Sequence, residues 1–139
     1  MRKTTLVAIV LTFTAFAALA ATNAPRQAIL DQYAAKTKAD NPAFAGFSAS
    51  TGQAFFAAKH TGGRPDTPSC TTCHTADPTR LGQTRAGKEI KPMAVSANPD
   101  RFTDLAQVEK WFRRNCDSVL GRECTTTEKG NFITFLSVR

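Results

Sequence analysis

The run Cys70-Thr71-Thr72-Cys73-His74 constrains this chain more than any other feature. Two thiols at this spacing reach the two vinyl groups of one haem, and the histidine that follows brings its imidazole under the iron. Other uses of paired cysteines fit poorly. A thioredoxin-like dithiol belongs in a βαβ setting, and the flanking sequence has no strand pattern to build one. A zinc site needs two further ligands at sensible spacing, and only His60 is spare. The pattern therefore points to one covalent haem c, held by Cys70 and Cys73 and ligated on one side by His74.

The start of the chain reads as an export signal. Arg2 and Lys3 form a positive n-region, Leu6 to Leu19 is apolar apart from two threonines, and Ala18-Leu19-Ala20 gives a small-x-small cleavage pattern. Residues 1–20 are thus expected to be cleaved, leaving 21–139 as a monohaem cytochrome c domain in the periplasm. The apolar run is short for a bilayer span and no stop-transfer charges follow it, so no membrane insertion is expected after cleavage. The formal charge is +7, and loss of Arg2 and Lys3 lowers it by two, to about +5. The remaining basic residues are scattered and not interleaved with aromatics, which argues against nucleic-acid binding. A modest positive surface suits an acidic redox partner, another c-type or a membrane b-type cytochrome, and equally a plain solvated exterior. Cys116 and Cys124 remain outside the haem motif, and in an exported chain a disulfide is their natural state.

The rest of the chain reads as helices joined by long loops. Residues 22–38 are expected to be helical, with Thr22 or Asn23 as cap and Pro25 in the first turn. A second helix starts near Ser48 or Ser50, carries Phe55 and Phe56, and stops before Gly62-Gly63. The Gly- and Pro-rich stretch to Ser69 is a loop. From Thr75 to Arg101 there is little periodicity, and so long a wrap in a small domain makes sense if it packs on a porphyrin. Thr103 is expected to cap a helix to about Val119, with Leu105, Val108, Trp111, Phe112, Cys116 and Val119 on one stripe and Gly121 as its stop. Thr125-Thr126-Thr127-Glu128 has capping-box form and opens a last helix with Phe132, Ile133, Phe135 and Leu136. No convincing β-strand is seen. The class is all-α. The Phe55-Phe56 helix before the motif and the aromatic helix at the C-terminus resemble class I cytochrome c, which implies that these two helices cross.

The sixth iron position has three candidates. Met93 follows His74 by only 19 residues, which leaves little chain to reach the far face, so a core or haem-edge role suits it better. His60 stands at a helix end beside two glycines, where an exposed role suits it as well. Asn115 falls on the stripe of Val108, Trp111 and Phe112, where a buried carboxamide requires a partner. That partner is backbone, a haem propionate, or the iron.

The run Thr84-Arg85-Ala86-Gly87-Lys88, the stretch Lys91-Pro92-Met93-Ala94-Val95-Ser96-Ala97-Asn98-Pro99, and Arg101-Phe102-Thr103-Asp104 resemble the sphaeroides haem protein family. So do Val108-Glu109-Lys110-Trp111-Phe112-Arg113-Arg114-Asn115-Cys116, Leu120-Gly121-Arg122-Glu123-Cys124 and Glu128-Lys129-Gly130. The resemblance spans about residues 45–136. It implies a class I-like cytochrome c that takes electrons from a partner cytochrome and binds O₂, NO or CO. It further implies Asn115 as sixth ligand and a Cys116–Cys124 disulfide. An amide oxygen is a hard, weak donor that suits ferric iron and holds ferrous iron poorly, so reduction would free the position. The residues assign no catalytic group, and reduction of O₂, NO or peroxide at the haem is left open. The rival reading is an ordinary low-spin electron carrier with Met93 or His60 as sixth ligand.

Overall fold

The computed structural model describes residues 23–139. The expected leader, 1–20, and the alternative cap Thr22 lie outside the described residues. Helix α1 runs Ala24–Asp40, and the Asn23 side chain accepts from the Arg26 amide at 3.2 Å, with Pro25 in the first turn. Its buried face is Arg26, Ile29, Tyr33 and Thr37, one stripe at helical spacing. Helix α2, Ala49–Ala57, is capped by Ser48 and ends sooner than the sequence suggests, because Ala58 is already extended.

Helix α4, Leu105–Leu120, is capped by Asp104, whose carboxylate accepts from the Gln107 amide at 3.0 Å. The expected cap, Thr103, instead turns its hydroxyl to the Asp100 carbonyl. An ionised carboxylate facing the positive helix end is the stronger cap. Gly121 closes α4 with φ +67°, as expected of a C-terminal stop. Helix α5, Thr126–Ser137, opens on a complete capping box between Thr125 and Glu128. The haem motif itself forms the single-turn helix α3, Thr71–His74.

The wrap between α3 and α4 holds one element the sequence did not suggest. A two-residue hairpin pairs β1, Gly82–Gln83, with β2, Glu89–Ile90, antiparallel. Gly82 rests against the main chain of Cys73 and His74, where a Cβ would not fit, so the hairpin abuts the haem motif. Strands this short carry no period-2 pattern, which is why they escape a reading by periodicity.

The core forms where α2 crosses α5. Gly52 lets the two backbones meet at Asn131, and the Asn131 carboxamide accepts from the Ser48 amide at 2.8 Å. Phe56, 1% exposed, packs between Phe132 and Phe135 with ring centroids 5.9 and 5.7 Å away. Burying such aromatic side chains contributes about 2–3 kcal/mol each. The wrap is pinned to the end of the same helix and to the residues just after it, since Val95 and Ser96 donate to the carbonyls of Leu136 and Arg139. The fold is the all-α, class I cytochrome c-like arrangement.

Candidate functional site

A cavity of about 950 Å³ lies between α3, the wrap and α4. Helix α3 places Cys70, Cys73 and His74 on its wall; α4 contributes Trp111 and Asn115; the wrap contributes Met93. The sharp turn after His74 needs Thr75 at φ +62°, and Phe102 on the cavity wall sits at φ +61°. Left-handed backbone at non-glycine residues costs of order 1 kcal/mol and gathers at functional sites.

Cys70 and Cys73 are not joined to each other. Burial, with the neighbouring Cys73, pushes the Cys70 thiol up to about 11. A dithiol redox pair needs the opposite shift. Burial, then the charge of Arg101, lowers His74 to about 4, so its imidazole is a neutral donor ready to ligate. Its Nδ1 is buried without a protein partner. Two unpaired thiols, a neutral imidazole and a roomy, largely apolar and aromatic wall are the set a covalent haem requires.

The α4 stripe needs correcting. Val108, Phe112, Cys116, Val119 and Leu120 are buried, whereas Leu105 and Trp111 are 36% and 48% exposed and Asn115 is exposed. Asn115 is not buried by protein. It shares with Trp111, one turn away, a strip that looks into the cavity, so it needs no backbone partner and is turned towards whatever fills that space. Directly beside it, Cys116 is bonded to Cys124 with Cα atoms 5.6 Å apart.

The other two axial candidates separate. His60 is not on the cavity wall: its Nε2 is 3.0 Å from the Phe55 carbonyl, its ring lies against Phe55, and its amide donates to Pro68. Met93 is buried on the wall, and its amide donates at 2.9 Å to the carbonyl of Pro78, four residues past His74.

Arg101, which the sequence places only within the run Arg101-Phe102-Thr103-Asp104, has a structural role. Its guanidinium holds the carbonyls of Lys91 and Pro92 beside the cavity, and Arg26 of α1 in turn holds the carbonyls of Pro99 and Arg101. Both are arginines spent on main-chain oxygens, a use that leaves no mark in sequence.

Residues 42–136 match a family model described as a domain of unknown function, DUF1924. The chain is 55% identical over 122 residues to the cytochrome c-type protein SHP of Cereibacter sphaeroides, covering 88% of this chain and 89% of that one. It superposes with a TM-score of 0.75 and 53% identity on the structure of oxidized SHP, described as an oxygen-binding cytochrome c; 83% of this chain and 96% of that chain are covered. A solution structure of cytochrome c'' from Methylophilus methylotrophus, described as bearing on haem-ligand detachment, matches with a TM-score of 0.71 and 33% identity. There 84% of this chain and 94% of that chain are covered.

Proposed function

The chain belongs to the DUF1924 family and to the c-type cytochromes related to sphaeroides haem protein, and on that premise we propose that it is a periplasmic monohaem cytochrome that accepts electrons and binds a diatomic molecule in place of a weak Asn115 ligand. It carries covalently bound haem c, as its relatives do. Cys70 and Cys73 are the attachment points, and His74 is the permanent ligand. When bound, haem c supplies the one-electron couple and the iron at which O₂, NO or CO binds.

The observation that carries the reading is Asn115 exposed on the cavity wall, next to a disulfide that stiffens the end of its helix. Its amide oxygen matches ferric iron and matches ferrous iron badly, so its hold weakens on reduction. The relatives support this: one is described as oxygen-binding, another through the detachment of a haem ligand. Met93 keeps the plain electron-carrier reading in play because it too lines the cavity. Its tether to Pro78, close after His74, favours the haem edge on the His74 side.

Export rests on the leader at 1–20. No helix among the described residues is long and apolar enough to cross a membrane. The electron donor is a second cytochrome, and the basic side chains of Lys88 and Lys91 at the cavity wall suit an acidic face on it. Titrating the dithionite-reduced holoprotein with CO tests the ligand reading. One CO per haem with a prompt Soret change is expected, and a ferrous spectrum indifferent to CO overturns it.

A further inference from the structure

The segment that delivers the haem cysteines is locked to the end of the helix that carries Asn115. The Arg64 amide donates to the Ser118 carbonyl at 2.7 Å, and the Thr67 hydroxyl donates to the same oxygen at 3.1 Å. Ser118 lies in the last turn of α4, where carbonyls lack partners within the helix, so the loop supplies the cap. Glycines make the approach close enough. A side chain on Gly63 would collide with the main chain of Ser118 and Val119, and one on Gly121 with the Gly62 carbonyl. Thr67 is 8% exposed, so its hydroxyl is a buried donor whose loss water does not readily replace.

The geometry of this clasp differs in kind from that of the disulfide. Cys116–Cys124 ties α4 to the loop that immediately follows it, eight residues on, so helix end and loop can shift together. The Thr67–Ser118 bond crosses 51 residues of sequence. It fixes the last turn of α4 to the stretch that runs straight into Cys70, the first haem anchor. Thr67 precedes Cys70 by three residues, and Ser118 follows Asn115 by three.

We propose that Thr67 is a positioning residue for Asn115: through the Ser118 carbonyl it sets how far the Asn115 amide reaches towards the iron. This rests on the reading of Asn115 as the displaceable ligand. The disulfide keeps the helix end stiff, and Thr67 keeps it in place.

The test is the rate at which cyanide binds the ferric holoprotein, followed by stopped-flow absorption. Thr67→Val should bind about fivefold faster, the equivalent of one net hydrogen bond, and Thr67→Ser should return the rate to that of the unmodified protein. In an Asn115→Ala background Thr67→Val should add nothing. Thr67→Ala serves equally if the valine variant fails to accumulate as holoprotein. If Asn115→Ala leaves the rate unchanged, the ligand reading and this inference both fall. If Asn115→Ala speeds binding while the Thr67 variants lower the melting temperature without moving the rate, Thr67 is merely structural and this inference alone is overturned.

Discussion

The hydroxyl of Tyr33 donates to the carboxylate of Glu109, tying α1 to the helix that carries Asn115. Lys129 of α5 donates to the other oxygen of the same carboxylate at 2.7 Å, so one side chain joins three helices. Tyr33→Phe removes one bond and leaves the carboxylate half-satisfied. It should lower stability by about 1–2 kcal/mol, read as a shifted urea midpoint at unchanged slope.

The same carboxylate gives a pH dependence with a definite sign. Burial alone would raise the Glu109 pKa; hydrogen bonds from Lys129 and Tyr33, with the charges of Lys129 and Arg113, outweigh it and hold the group below its ordinary value. A depressed folded pKa adds stability that is present above the unfolded value, about 4.3, and lost as pH falls through the folded one. Glu109→Gln should therefore make the loss of stability below about pH 4 shallower. Urea midpoints at a series of pH values measure it, and an unaltered acid limb contradicts the network.

The disulfide closes a short loop, and the loop-entropy estimate for its removal is about 2–3 kcal/mol. Cys116→Ser with Cys124→Ser should lose roughly that much in urea. Thiol labelling of the unfolded, unreduced holoprotein should find no free cysteine, since two are thioethers and two are paired. Label at Cys116 or Cys124 contradicts the pairing.

Covalent attachment has its own check. Haem-stained denaturing gels should show colour migrating with the polypeptide, and Cys70→Ala with Cys73→Ala should abolish it. Colour lost from the unmodified chain on denaturation contradicts thioether bonding.

What could be read from the sequence is what short-range chemistry records. The haem motif, the Thr125–Glu128 box and the Gly121 stop are each local, and so are the Asn23 and Ser48 caps, each one of two neighbouring caps the sequence offers. The face of Asn115 could not be settled that way. Helical spacing places it beside Trp111 and Phe112, but only the tertiary arrangement shows that Phe112 is buried while Trp111 and Asn115 stand exposed on the cavity wall. The Arg26–Arg101 relay and the Thr67–Ser118 bond join residues far apart in the chain through main-chain carbonyls, which every residue carries. Nothing in residue identity announces them.

Asn115 as a weak, displaceable sixth ligand is the central claim, and the ferric absorption spectrum of the holoprotein with three single variants tests it most directly. The ferric protein should be high-spin, without the far-red band of a methionine–iron bond. Met93→Leu and His60→Ala should leave that spectrum unchanged, and Asn115→Ala should speed ferric ligand binding. A low-spin ferric spectrum with the far-red band, abolished by Met93→Leu and untouched by Asn115→Ala, would contradict the account and make the protein an ordinary electron carrier.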